Sequence, residues 1–275
     1  MTRLIVHPKR SLQVRTHLSA AKTSMLKQLK QWAAGRFLSR VHRITHRLPA
    51  ELRTVKPCRV MVLAPHMDDE VIGPGGTLAL HQAAGSNVGV VFTTNSNGGA
   101  PPDLKGSAMT ERRTAEARDV AQRLGFDILD VFGFPDGQLS RHEPDLATNL
   151  ARSIRDWAPD QIFCPFPADH HRDHQATSAG LADALRKTGW QGEVWCYEIW
   201  STLWPNVEID ITSVVETKRE AIALYYSQVA SMSYIESTLG LNRYRGLRVR
   251  VPYAEAFFVC DTREYLRLAG ILSEI

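Results

Sequence analysis

Four cysteines, Cys58, Cys164, Cys196 and Cys260, with no C-x-x-C pair among them, are too scattered for a disulfide framework or a thiolate cluster. Cys164 and Cys196 fall in apolar runs, so reduced and mostly buried thiols are expected. No run of about 18 apolar residues occurs, which argues against a membrane-spanning helix. The N-terminus lacks the unbroken apolar stretch of a secretion signal, so a cytoplasmic location is expected, with peripheral contact at the inner membrane face left open. Internal repeats and low-complexity segments are missing as well. Acids are scarce at the start of the chain: residues 1–56 hold 13 of the 33 Lys and Arg but a single acid, Glu51. The sequence therefore reads as a basic extension, 1–56, on an acidic domain, 57–275.

What is present is material for a core. Hydrophobic residues make up 44% and charged residues 23% of the 275, so most of the chain can fold as a globular unit. Within the extension, Met25, Leu26, Leu29, Trp32, Ala33, Phe37, Val41 and Ile44 recur at three- and four-residue spacing, with Lys and Arg between them. That spacing predicts a basic amphipathic helix over residues 20–44. It would dock on the main domain or on a second subunit with its charges solvated, or else attach to an anionic membrane surface. Nucleic acid is not an expected partner, and homo-oligomerisation is left open.

After Pro57 the pattern alternates. Strands are expected at Arg59–Ala64, Val88–Thr94, Ile128–Phe132, Gln161–Pro165 and Glu193–Trp200, with helices at Gly73–Ala84, Met109–Leu124, Leu146–Trp157 and His174–Thr188. Short apolar strands alternating with helices predict an α/β, doubly wound, mainly parallel sheet of Rossmann-like type flanked by helices. Ligands in such sheets sit outside the carboxyl ends of the strands.

Two clusters occupy that edge. His66-Met67-Asp68-Asp69-Glu70 follows the first expected strand, and Asp169-His170-His171-Arg172-Asp173-His174 follows the fourth. Acids crowded this closely repel one another unless a cation sits among them, and imidazole with carboxylate is a zinc-type donor set. Alone, the first cluster also reads as a helix start favoured by the helix dipole. The second cluster, with His171 and His174 on one helical face, shifts the balance towards a divalent-metal site.

Together the two segments resemble the PIG-L/LmbE family of metal-dependent de-N-acetylases, as do Val71-Ile72-Gly73-Pro74-Gly75-Gly76-Thr77-Leu78, Gly133-Phe134-Pro135-Asp136-Gly137 and Ala254-Glu255-Ala256-Phe257. The resemblance spans roughly residues 59–260. It implies zinc, or another divalent metal such as Fe2+, held by His66, Asp69 and His174. It further implies Asp68 as general base and His171, in protonated form, as the group facing the developing oxyanion or the leaving amine. Asp173 is expected to orient His171. Arg113 and Asp136 occupy the family's sugar-contact places, although Arg113 with Glu116 also reads as a three-apart surface pair and Asp136 as the turn residue of Pro-Asp-Gly.

The implied activity is removal of acetyl from an N-acetylglucosamine-type glycoside or conjugate, a small amino-sugar substrate that is lipid-linked in one version of this reading. Two alternatives stand beside it: an amidase on another sugar or thiol-sugar conjugate, and a non-catalytic sugar-binding module. Met67 departs from the family's usual proline; since proline there restricts φ and supplies no ligand, no change in the metal set is expected. Trp190, Trp195, Trp200 and Trp204 read mainly as core, with sugar stacking as the lesser use. Gly73–Gly76 lacks the G-x-G-x-x-G spacing and a following Lys-Ser or Lys-Thr, so close helix packing is expected there, not phosphate binding.

Overall fold

The computed structural model describes residues 51–98 and 106–272. The helix expected over 20–44 lies outside them. Strand β2, Arg59–Ala64, is buried over five of its six residues. Its apolar run has no polar face, so it needs cover on both sides, as a central parallel strand does. Val60, Val62 and Ala64 point into one core cluster, with Leu78, Val90 and Phe92, while Met61 and Leu63 point into the other, with Leu150, Ile162 and Leu181.

Strand β2 lies between β3, Asn87–Thr94, and β5, Gln161–Pro165, and is parallel to both. Beyond β3 comes β4, Asp127–Phe134; beyond β5 comes β6, Glu193–Tyr197. The chain thus winds outward on one side and returns to the other, and its direction reverses between β2 and β5. The crevice that this reversal opens is the usual ligand position in such sheets. Strand β8, Ala254–Asp261, runs antiparallel between β6 and β7, Val207–Asp210. Strand β1, Glu51–Arg53, adds an edge parallel to β7, so the sheet begins inside the segment expected to be an extension. The full order is β1-β7-β8-β6-β5-β2-β3-β4.

The helix expected from Gly73 to Ala84 is α2, Gly75–Ala83, and a one-turn helix α1, Asp69–Ile72, precedes it. The glycines here are required by packing. A Cβ on Gly73 would lie 2.5 Å from the Tyr197 ring, and one on Gly76 would lie 2.8 Å from Ile211, so both backbones approach too closely for any side chain. Helices α3, Ser107–Leu124, α4, Glu143–Trp157, and α5, Arg172–Thr188, complete the crossovers. Then follow α6, Val215–Leu224, α7, Tyr226–Val229, α8, Tyr234–Val249, and α9, Thr262–Leu272. No helix among the described residues is long and apolar enough to cross a membrane.

Candidate metal and catalytic site

The loop Pro65–Asp68, between β2 and α1, is tied down on every side. Thr94 donates to the Pro65 carbonyl through both its amide and its hydroxyl. Met67 donates its amide to Ser96 Oγ at 2.9 Å, a bond that proline at this position could not make. The departure at Met67 thus has a structural use: it replaces φ restriction with a hydrogen bond to a buried residue of the neighbouring loop. The Glu70 carboxyl accepts from the Asp68 amide at 3.0 Å and from the Tyr225 hydroxyl at 2.5 Å. Burial raises Glu70 to about 8 despite the Tyr225 bond. Its task is to hold the loop, which is a role the sequence left blank.

Asp69 Oδ2 lies 3.3 Å from His66 Nδ1 and 3.3 Å from His174 Nε2. Two ligands of a tetrahedral zinc, each about 2.0–2.1 Å from it, have donor atoms separated by about 3.3 Å. Both ring nitrogens of His174 are buried and neither has a hydrogen-bond partner of acceptable geometry. The Asp69–His174 separation also exceeds the 2.7–2.9 Å or so usual for a charge-assisted bond. An acid and an imidazole close together but not bonded are what a cation between them would leave, so the donor set fits a divalent metal. The ring nitrogens of His66, His171 and His174 converge as well, within 4.8 Å of one another.

The remaining histidine nitrogens face carboxylates. His174 Nδ1 lies 3.3 Å from Asp169 Oδ1, and Asp169 is itself fixed by the amides of His171, Trp200 and Ser201. His66 Nε2 lies 3.2 Å from Asp173 and 3.3 Å from Asp136. Metal-binding histidines commonly donate their second N–H to such a carboxylate, which fixes ring orientation and basicity. Burial opposes protonation of His66, but Asp136, Asp173 and Asp69 outweigh it and its pKa rises well above the histidine range. In His174 burial is likewise outweighed, first by Asp69, and the pKa rises to about 9. Burial of Asp69 is outweighed by His174 and His66, which hold its carboxyl well below the usual range.

Asp68 stands beside this group. Its φ of 155° is rare for a residue with a side chain, a conformation that costs about 1–3 kcal/mol unless the surroundings enforce it. Burial raises its carboxyl to about 6, with Arg113 opposing. Arg113 is buried, not on the surface, with Nη2 2.8 Å from Asp68 Oδ2. Glu116, the surface partner considered for it, is also buried and accepts instead from the Ser227 amide and hydroxyl. Asp136 accepts from the Gly98 amide and is lowered to about 2, since His66 more than offsets its burial. Both Arg113 and Asp136 line the same cleft as His66, Asp68 and His171.

The link expected between Asp173 and His171 takes a different form. The Asp173 carboxylate receives the Gly137 and Leu139 amides and faces His66. Its backbone N–H, not its carboxylate, meets His171, donating to Nδ1 at 3.2 Å as the cap of α5. This bond assigns the proton of a neutral His171 to Nε2. Burial and the charges of His66 and His174 lower the His171 pKa, which disfavours the protonated form expected from the sequence. Asp169 is the main site residue that sequence reasoning left unassigned; its signal was its place two residues before His171. His170 is exposed and takes no part.

Comparisons with known proteins bear on the family and the fold. The family profile described as PIG-L, GlcNAc-PI de-N-acetylase, matches residues 61–185, which include both motifs. A diacetylchitobiose deacetylase of Thermococcus kodakarensis is 26% identical over 189 residues, 62% of this chain and 70% of that one. Among solved structures, a conserved protein of Thermus thermophilus is 31% identical with a TM-score of 0.63, over 72% of this chain and 93% of that one. The N,N'-diacetylchitobiose deacetylase of Pyrococcus horikoshii has a TM-score of 0.66 at 23% identity, over 84% of this chain and 94% of that one. With the matched motifs converging on one crevice, the chain belongs to the PIG-L family.

Proposed function

We propose that the protein is a metal-dependent hydrolase that removes the acetyl group from an N-acetylated amino sugar of the N-acetylglucosamine type. The observation that carries this reading is the Asp69 oxygen set 3.3 Å from one nitrogen of each of His66 and His174, with Asp68 free of those contacts beside it. His66, Asp69 and His174 would hold the metal, zinc being the ion that best suits one carboxylate and two imidazoles. Zinc, when bound, supplies Lewis acidity and makes a water molecule easier to deprotonate.

The chain's own residues supply the rest. Asp68, ionised above its raised pKa, accepts a proton from the attacking water at Oδ1 or Oδ2, while Arg113 keeps the carboxylate in place. His171, with Nδ1 engaged by the Asp173 amide, directs its Nε2–H into the cleft, where it can donate to the amide oxygen as negative charge develops. Asp136 lines the cleft as an ionised acceptor placed for a sugar hydroxyl. Two of the proteins named above, the diacetylchitobiose deacetylases of Thermococcus kodakarensis and Pyrococcus horikoshii, support the substrate class.

The test is metal content together with acetate release from N-acetylglucosamine and simple glucosaminides. About one zinc per chain and loss of acetate release in Asp68→Asn are expected. Metal-free protein, or an Asp68→Asn variant as active as the parent, would refute the reading.

A further inference from the structure

The catalytic cleft has a volume of about 130 Å3, and a second cavity of about 230 Å3 adjoins it. Ile72, Ile199, Trp200 and Tyr234 line both. We propose that the larger cavity is a second substrate subsite that takes an uncharged, partly apolar substituent carried by the amino sugar; this rests on the deacetylase reading.

The lining specifies the chemistry. Met232 and Leu241 add apolar surface to the four shared residues, and Ser237 and Thr238 add hydroxyls. Asn242, 5% exposed, presents an Oδ1 without a hydrogen-bond partner. A buried acceptor left unpaired costs about 1–3 kcal/mol, so a ligand hydroxyl that satisfies it would gain by that contact. The two acids in the wall are already neutralised. Glu198 takes two bonds from Arg245, at 2.8 and 2.5 Å, and the Leu203 amide. Glu255 is paired with Lys218 at 2.6 Å. Among the described residues, no free charge therefore remains in the wall to attract a phosphate, a carboxylate or an amine. At the mouth, Trp200 and Met232 are each 47% exposed, with the Trp200 ring set edge-on to Tyr234. Large apolar side chains open to solvent beside a neutral pocket suit a ligand that brings apolar surface of its own.

The proposal is tested with three substrates compared by kcat/KM for acetate release: free N-acetylglucosamine, its octyl glycoside, and the glycoside bearing a terminal carboxylate on a chain of the same length. The octyl glycoside is expected to exceed the free sugar by about tenfold, the equivalent of burying two methylene groups, with the carboxylate-bearing compound at least several-fold poorer than the octyl one. Leu241→Trp and, independently, Ser237→Phe narrow the cavity and should each lower the octyl-to-free ratio towards one. N-octanoylglucosamine, followed by release of octanoate with the free amine, forms a second arm: a similar gain there places the substituent on the nitrogen side instead of the anomeric side. Equal efficiency for all substrates would overturn the subsite. Calorimetry with octyl glucoside, which has no amide, separates the two readings. Binding that weakens in Leu241→Trp, with no acetate released from any compound, would keep the subsite and refute the deacetylase; acetate release without such binding or preference would do the reverse.

Discussion

The guanidinium of Arg113 lies against the carboxylate of Asp68, Nη2 to Oδ2 at 2.8 Å, with both side chains buried and the same guanidinium donating to the Met67 carbonyl. Burial raises Asp68 to about 6, and Arg113 is the strongest influence in the opposite direction. A general base works only when ionised, so with Asp68 in the role proposed for it the acid limb of activity is expected to follow this carboxyl. Replacing Arg113 with methionine removes the lowering influence and raises the Asp68 pKa. The acid limb of kcat/KM then moves to higher pH, with activity at pH 6 lower by about tenfold or more. A pH profile of Arg113→Met with an unmoved acid limb would show that Arg113 does not act through Asp68.

Asp169 would support the proposed metal site through His174, whose Nδ1 lies 3.3 Å away. Losing such a partner commonly weakens metal binding by about 10–100-fold without removing a ligand. Asp169→Asn is expected to bind zinc at the same stoichiometry but with affinity reduced over that range, measured by competition with a chromogenic chelator. Asp69→Ala, which removes a proposed ligand, is expected to lose stoichiometric metal altogether. Equal affinity in Asp169→Asn and the parent would assign Asp169 to folding of the loop alone.

The central strands and both clusters were legible because their signals are local. Arg59–Ala64 and Gln161–Pro165 have the observed bounds, since each is an apolar run ended by a turn. The second half of the molecule was harder. Strand β8 enters antiparallel beside β6, and the segment from α6 to α8 brings Lys218 to the carbonyls of Ile72 and Gly73, Tyr225 to Glu70 and Tyr234 to the cleft that holds Asp68. Contacts over such separations leave no periodic trace. Glu255 is the clearest case: its sequence context gives a charge in an apolar strand, and only the fold brings it to the amides of Gly76 and Thr77 at the start of α2. Trp200 likewise reads as one of four late tryptophans, whereas the structure buries Trp195 against Phe163 and leaves Trp200 half exposed at the cleft.

His171 is placed to act as a neutral donor, because the Asp173 amide occupies Nδ1. Removing a single donor to a developing oxyanion commonly costs about 10²–10³ in kcat. His171→Phe should fall by that much with little change in KM and with zinc content retained. A fall in zinc content to near zero would instead make His171 a ligand, which the convergence of its ring nitrogen with those of His66 and His174 also allows.

Lys218 and Glu255 form a fully buried pair whose members also serve the backbone: Lys218 Nζ donates to the carbonyls of Ile72 and Gly73, and Glu255 accepts from the Gly76 and Thr77 amides. The glycine turn leading into α2 is thus held from both ends by one ion pair. Removing one partner strands the other's charge in the interior, a loss of about 3–5 kcal/mol. Lys218→Met should lower the urea midpoint accordingly, while Arg123→Gln, which breaks an exposed pair with Glu220, should cost under about 1 kcal/mol. In the double variant Lys218→Met/Glu255→Gln no charge is left unpaired, and the side-chain amide oxygen introduced in place of the carboxylate can still accept one of the two α2 amides. The double variant should therefore be more stable than Lys218→Met alone, a coupling that a double-mutant cycle measures directly. Strictly additive losses would mean that the two side chains act on the backbone separately and that their mutual attraction contributes nothing.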